Sequence, residues 1–177
     1  MKRSELAHIL RAAAEIAEDG GILVVGSQAI LASMSEDDLP ERATMSMEAD
    51  LAFLDDAAAD KSDRVDGAIG EGSRFHRRFG YYAQGVDMNT ATLPEGWQER
   101  AVRFRHGDYG DANAICPEIH DLVASKLVAG RDKDVDYARA LVRSGLVDTD
   151  VLSQRVDLLP VLPGPRRRIL ALVDTLE

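Results

Sequence analysis

The spacing of hydrophobic positions changes several times along the chain, and each change predicts a different element. From Ser4 to Asp19 they recur at intervals of three and four, which predicts a helix that Gly20-Gly21 ends. Ile22 to Val25 is a short continuous run, typical of a buried strand. Residues 28–32 then predict the start of a second helix. The polar stretch over 33–44 predicts a loop.

Residues 47–53 form a second predicted strand, because hydrophobic and polar side chains alternate there. One face carries Met47, Ala49, Leu51 and Phe53. The period of two places the carboxylates of Glu48 and Asp50 together on the other face, a few ångströms apart.

The remaining sequence predicts one more helix, two strands and then helices only. The helix covers 55–69, and the strands cover 81–86 and 102–105, with a turn at 94–96 between them. Beyond Pro117 the helical spacing returns in four segments: 118–129, 132–144, 148–158 and 166–176. We expect an α+β fold with a core over 1–116 and a helical layer over 117–177, packed as one unit.

Composition narrows the class of protein. The 177 residues suit a single domain, and 31 acidic against 21 basic residues give a net charge of −10, which excludes a broad nucleic-acid-coating surface. The sequence has no apolar run of about 18 residues and no signal peptide, so we expect a cytoplasmic protein without a membrane span. The lone cysteine, Cys116, excludes a disulfide framework and a multi-cysteine zinc site.

Glu48 and Asp50 are the first candidate functional pair. Two carboxylates on one face offer the hard oxygen ligands that Mg²⁺ prefers, and a cation between them would relieve their repulsion. The alternative is a half-exposed strand with an acidic outer face.

Gly26-Ser27 is the second candidate, because it joins a hydrophobic strand directly to a helix. Glycine lets the backbone approach a ligand, and a helix start with a serine offers donors to phosphate. The alternative is a simple turn with a serine N-cap. The two motifs together indicate a function more specifically than either does alone. They occur in the order strand, Gly-Ser, helix, loop and a strand with Glu-x-Asp.

This combination resembles the nucleotidyltransferase superfamily of the DNA polymerase β type, through the segments 24–31 and 47–51. The likeness is greatest to the AbiEii-like bacterial nucleotidyltransferase toxins and their relatives, whose C-terminal lysine and downstream acid are matched within 121–127 and 130–134. It covers most of residues 1–147. It implies a mixed sheet with flanking helices.

The resemblance also implies a reaction and its ligands. A nucleoside monophosphate would move from a nucleoside triphosphate to an acceptor, with two Mg²⁺ or Mn²⁺ ions clamping the attacking and leaving oxygens. Glu48 and Asp50 would hold the metal, and Gly26 and Ser27 would hold the β- and γ-phosphates.

Three residues near the break between two C-terminal helices complete the implied site. Lys126 would reach the triphosphate as a point charge, Arg131 would bind the nucleotide, and Asp134 would position either of them. The alternative for Lys126 is a lysine that only extends past an apolar stripe. His120 and Asp121, one turn earlier, are predicted to be structural.

The implied acceptor is tRNA or a protein side chain, and in a toxin-like relative a cognate antitoxin would be the partner. Local basic clusters could dock such an acceptor despite the acidic total. The clusters are Arg74-His76-Arg77-Arg78, Arg103-Arg105-His106 and Arg166-Arg167-Arg168. Tyr81, Tyr82 and Trp97 would either stack on a base or belong to the core.

Two departures from the superfamily pattern keep other functions open. The first metal acid is Glu48 rather than the commoner Asp, and the third carboxylate of many members has only Asp87 as a candidate, which also suits a turn. A catalytically silent nucleotide-binding or antitoxin-type partner is therefore the main alternative. A plain structural α+β domain is a third.

Overall fold

The computed structural model describes residues 1–56, 58–106 and 114–176. The strands are β1 (Ile22–Val25), β2 (Glu48–Phe53), β3 (Tyr82–Gly85), β4 (Val102–Arg103) and β5 (Ile115–Cys116). The helices are α1 (Arg3–Ala17), α2 (Glu41–Thr44), α3 (Asp60–Ile69), α4 (Arg74–Phe79), α5 (Trp97–Arg100), α6 (Ile119–Ala129), α7 (Asp132–Arg143), α8 (Thr149–Asp157) and α9 (Pro163–Val173). Short 3₁₀ segments cover Ser27–Ala32, Glu36–Asp38 and Met88–Thr90.

The strands form a mixed sheet in the order β3-β2-β1-β5-β4, so the expected α+β fold with a mixed sheet is confirmed. β2 runs antiparallel to β1 and parallel to β3. In this register Val25, Asp50 and Gln84 lie side by side on the three adjacent strands. Asp50 therefore occupies the middle of a row that crosses the sheet.

Alternation along the strands divides the hydrophobic residues between two clusters. Ile22 and Val24 belong to the main core, while Leu23 and Val25 belong to a smaller cluster with Ala52 and Trp97. Along β2, a period of two puts Glu48 and Asp50 on the same face as Ala52. The two acids thus lie on the same face of the sheet as the smaller cluster, nearer the start of β2.

The C-terminal helices pack close to the end of β1. α6 contacts the 3₁₀ segment Ser27–Ala32, and α7 contacts α2. Asp121 in α6 is fully buried and paired with Arg100 and Arg155, which confirms its structural role. Among the described residues, no helix is both long and apolar enough to cross a membrane.

Several predicted boundaries were wrong where short polar contacts decide the structure. The predicted loop over 33–44 contains α2, which at four residues is too short to show a hydrophobic period. The helix predicted from residue 55 begins at Asp60, because the Asp56 carboxylate accepts hydrogen bonds from the backbone N–H groups of Lys61 and Ser62 (2.9 Å each). Position 57, within that prediction, lies outside the described residues.

Other short elements were missed altogether, among them α4, α5 and β5. α4 has six residues between a Ser73 cap that accepts from the His76 N–H and Gly80 at φ 80°. β5 has only two residues, and its partners β1 and β4 fix it in the sheet. The strands on either side of the predicted 94–96 turn lie at opposite edges of the sheet, so they do not form a hairpin.

Candidate active site

A cavity of about 520 Å³ opens beside the end of β1 and the start of β2. Its lining includes every residue that the sequence placed in the catalytic, nucleotide-binding and metal sites: Gly26, Ser27, Glu48, Asp50, Lys126, Arg131 and Asp134. These residues come from the 3₁₀ segment Ser27–Ala32, β2, α6, α7 and the two cap positions that precede the 3₁₀ segment and α7, yet they border one space. Their roles stay predictions, but the geometric condition for those roles is met.

Gly26 is required by the geometry of this cavity. Its backbone has φ 68° and ψ −171°, a combination that is essentially restricted to glycine. A Cβ at this position would lie 1.9 Å from Oδ2 of Asp50. The missing side chain thus lets the backbone of the turn lie directly against the Asp50 carboxylate. Ser27 is the first residue of the 3₁₀ segment, so Gly26, not the serine, occupies the cap position.

Asp50 and Glu48 form a close acidic pair in the cavity. The pKa of Asp50 is raised from 3.8 to about 7, first by burial and then by hydrogen bonding and repulsion from Glu48. Lys126 and Lys133 oppose this shift. Since like charges this close disfavour the doubly ionised state, the pair is electrostatically suited to a divalent cation.

The donor set of the cavity fits Mg²⁺ or Mn²⁺. Within the described ranges, no group of three or more His, Cys, Asp or Glu side chains is arranged to hold a metal. Two carboxylates suit a hard cation that takes its remaining ligands from water and substrate phosphate. Glu48 and Asp50 are the residues that would hold it.

Lys126 and Arg131 meet at one carboxylate. Nζ of Lys126 lies 3.4 Å from Oδ1 of Asp134, and Nε of Arg131 lies 2.7 Å from Oδ2. The Asp134 side chain is 2% exposed, whereas that of Arg131 is 62% exposed. Burial lowers the pKa of Lys126, and Asp134 opposes that effect. Asp134 therefore favours the charged form of a buried ammonium beside the cavity.

Tyr137 connects this cluster to the Gly-Ser turn, and the sequence analysis missed it. Its hydroxyl donates a hydrogen bond to the backbone oxygen of Ser27 (3.0 Å). Nζ of Lys126 lies 4.9 Å from the centre of its ring, in cation–π contact. In the sequence this tyrosine is one position of the apolar stripe of α7, and its partner is 110 residues away.

Other residues in the cavity lining or in contact with it were not assigned to the site from sequence, because they are recognised only from strand register or helix packing. Gln84 pairs with Asp50 across β2 and β3. Tyr82 pairs with Glu48, and its hydroxyl donates to Oε2 of Glu48 (2.8 Å). Lys133 lies beside Arg131, and Arg42 reaches the cavity from α2. Placing Gln84 from sequence would have required the parallel register of β3.

Several candidates lie outside the cavity lining. Asp87 caps the 3₁₀ segment Met88–Thr90, where its Oδ1 accepts from the backbone and side-chain nitrogens of Asn89, so the turn explanation holds. Trp97 is 9% exposed within the smaller hydrophobic cluster. Nδ1 of His8 and the hydroxyl of Tyr81 lie 2.8 Å apart, away from the cavity. None of the residues of the three basic clusters, all of them described, borders the cavity.

Comparison with known proteins agrees with the arrangement of these motifs. Residues 4–163 match the model of a family described as nucleotidyltransferases of unknown function, DUF6036. Comparison with curated proteins and with solved structures gave no significant match. The matched span includes the Gly-Ser turn, the Glu-x-Asp strand and the Lys126–Asp134 cluster. The chain therefore belongs to the DUF6036 nucleotidyltransferase family and is a transferase of phosphorus-containing groups.

Proposed function

We propose that this protein is a metal-dependent nucleotidyltransferase that moves a nucleoside monophosphate from a nucleoside triphosphate to an acceptor. The observation that carries the proposal is the meeting of the Gly-Ser turn, the Glu48–Asp50 pair and the Lys126–Asp134 cluster in one cavity. Each motif also suits a structural role when taken alone. Their convergence supports one shared ligand with both phosphate and metal-binding character.

The carboxylate pair supports the cofactor assignment. Glu48 and Asp50 would hold Mg²⁺ or Mn²⁺. Bound there, the cation would neutralise charge that develops on the transferring phosphoryl oxygens. Without it, the raised pKa of Asp50 means that the pair resists full ionisation near pH 7.

The cations of the cavity support a triphosphate as the donor. Lys126 lies on α6, Arg131 lies between α6 and α7, and Lys133 lies on α7; all three line the cavity. Together they would offset the charge of the β- and γ-phosphates. In the reaction, an acceptor oxygen bonds to the α-phosphorus as the α–β bridging bond breaks, pyrophosphate leaves, and the acceptor proton passes to solvent or a base.

For the acceptor we propose tRNA or a protein side chain, and for the protein a role as the toxin of a toxin–antitoxin pair. The basic cluster of α4 supports an anionic acceptor. The His76 ring packs on Tyr82 with ring centres 4.6 Å apart, and Tyr82 contacts Glu48. A polyanion docked on α4 would thus lie one aromatic side chain away from the acidic pair.

A second candidate is a nucleotide-binding protein without turnover. Gln84, an amide, occupies the position beside Asp50 on the neighbouring strand. An amide supplies no third anionic ligand and no base, so binding without transfer is the function that this observation favours.

One experiment separates the two candidates. The protein is incubated with each of the four nucleoside triphosphates, Mg²⁺ or Mn²⁺, and either total tRNA or a protein extract, and both binding and covalent labelling are measured. We expect binding and labelling by wild type, and binding with little labelling by Asp50→Asn. Binding by wild type without labelling of any acceptor would support the silent candidate. Absence of both would contradict the proposed function.

A further inference from the structure

Tyr82 lies directly opposite the first of the two cavity acids. Glu48 and Tyr82 are register partners in the parallel pair β2–β3. The Tyr82 hydroxyl donates a hydrogen bond to Oε2 of Glu48, with an O–O distance of 2.8 Å. The contact joins two strands, so it is fixed by the sheet rather than by a flexible loop.

Tyr82 is itself held in place from its other side. The His76 ring packs against it at 4.6 Å with an interplanar angle of 44°. The Nδ1 of His76 in turn accepts a hydrogen bond from the backbone N–H of Gly72 (3.0 Å). The backbone N–H of His76 donates to the Ser73 Oγ (3.0 Å). A local network outside the cavity thus fixes the position of the tyrosine hydroxyl.

The two acids differ in how much support their side chains need. Asp50 is short, and the close approach of Gly26 leaves its carboxylate little room. Glu48 has one more rotatable bond, and ordering a glutamate side chain costs conformational entropy. A hydrogen bond to one carboxylate oxygen reduces that freedom and fixes the orientation of the whole group.

We propose that Tyr82 is a positioning residue: its hydroxyl orients the Glu48 carboxylate as a metal ligand beside Asp50. Tyr82 and Glu48 then act as a pair. The length of the glutamate side chain allows the hydrogen bond, and the tyrosine hydroxyl fixes the orientation of the glutamate carboxylate. Asp at position 48 would be too short to keep the hydroxyl contact. The inference rests on the proposed function, because it assigns Glu48 to a metal.

The test is a double-mutant cycle read out as Mn²⁺ affinity by calorimetry, with and without a non-hydrolysable nucleoside triphosphate. The variants are Tyr82→Phe, Glu48→Asp and the two combined. Outer partners of metal ligands typically contribute about 10–100-fold to affinity, so we expect a loss of at least about 10-fold for Tyr82→Phe. Glu48→Asp should lose a similar amount, and the double variant should be little worse than Glu48→Asp alone.

Tyr81→Phe is the matched control. It removes the same atom from the neighbouring residue, whose hydroxyl contacts His8 rather than Glu48. We expect its Mn²⁺ affinity to stay within about twofold of wild type, since the hydroxyl that it loses is the one paired with His8. Thermal melts of all variants identify any that fail to fold.

The outcomes separate the inference from the proposed function. Mn²⁺ affinity of Tyr82→Phe equal to wild type, or losses that multiply in the double variant, would overturn the role of Tyr82. If Tyr82→Phe does not fold, Glu48→Asp alone decides, and unchanged affinity would overturn the pairing. Wild type that binds no Mn²⁺, with or without nucleotide, would overturn the proposed function and this inference with it.

Discussion

Gly26 and Asp50 are in contact in a way that admits no side chain at position 26. A Cβ there would lie 1.9 Å from Oδ2 and 2.9 Å from Cγ of Asp50. The contact joins the turn after β1 to the middle of β2, which are antiparallel neighbours. It therefore links the predicted phosphate-binding turn to the predicted metal site.

Gly26→Ala should remove activity and destabilise the fold. The alanine would combine backbone strain with a clash against Asp50, at a cost of about 1–3 kcal/mol for the strain alone. Gly145→Ala is the control, because Gly145 also has a positive φ of 73° but has nothing within 4 Å of its would-be Cβ. Urea denaturation and nucleotide transfer are the measurements. Equal effects of both substitutions on activity would contradict the account.

Asp50→Asn should stabilise the metal-free protein above pH 7 while removing metal-dependent activity. The pKa of Asp50 is raised to about 7 in the folded state, so the folded chain binds more protons than the unfolded chain between about pH 4 and 7. Stability in the wild type therefore falls as pH rises through that window. We expect Asp50→Asn to be more stable at pH 8 by on the order of 2 kcal/mol.

Mg²⁺ should reverse that order of stability. The ion should raise the melting temperature of wild type but not that of Asp50→Asn, because ligand binding stabilises only the form that binds. Thermal melts at pH 5 and pH 8, with and without Mg²⁺, test both statements. If Asp50→Asn is less stable than wild type at pH 8 without metal, the raised pKa of Asp50 does not explain the stability of the metal-free protein.

Tyr137→Phe should weaken nucleotide binding more than it slows transfer. The lost hydrogen bond to the Ser27 oxygen is worth about 0.5–1.5 kcal/mol, so we expect KM for the nucleoside triphosphate to rise about 2–10-fold. The ring beneath Lys126 remains in this variant, so kcat should change less. Steady-state kinetics give both values. A fall in kcat with KM unchanged would mean that Tyr137 acts on the transition state instead.

Asp134→Asn should change the pH profile of the reaction. Burial lowers the pKa of Lys126, and Asp134 is the principal group that raises it. Without that carboxylate the ammonium should lose its proton at lower pH. The alkaline limb of the pH–rate profile should therefore shift to lower pH. Asp136→Asn, whose carboxylate is half exposed and paired with Arg42 and Arg139, is the control. An alkaline limb at unchanged pH would contradict the role of the Lys126 ammonium in the reaction.

Asp87→Asn should retain transferase activity. The carboxylate binds the two nitrogens of Asn89 and is not part of the cavity lining, and an asparagine can still cap the segment. Transfer rates compared with wild type at saturating Mg²⁺ decide this. A large loss would restore Asp87 as a third carboxylate.

The parts of the site that sequence alone predicted are those in which neighbours along the chain determine the geometry. Strand β1, the Gly26-Ser27 turn and the Glu-x-Asp alternation each require only a few consecutive residues. Lys126 and Asp134 are eight residues apart on successive helices, and the family resemblance implied that Asp134 positions either Lys126 or Arg131.

The parts that sequence missed depend on register or on distant packing. Gln84 reaches the cavity and Tyr82 reaches Glu48 only because β3 runs parallel to β2, with Gln84 opposite Asp50 and Tyr82 opposite Glu48. Tyr137 reaches Ser27 only because α6 packs against the 3₁₀ segment that begins at Ser27 and α7 packs against α6. α2, α4 and β5 are too short for a periodic signal, and side-chain caps or strand partners determine them.

The most direct test of nucleotidyl transfer is the position of the label that reaches the acceptor. Wild-type protein is incubated with Mg²⁺, acceptor, and nucleoside triphosphate labelled at either the α- or the γ-phosphate. We predict that the α label becomes covalently attached, that the γ label leaves as pyrophosphate, and that Asp50→Asn lowers the rate at least about 100-fold. Attachment of the γ label, or equal labelling by Asp50→Asn, would contradict the account.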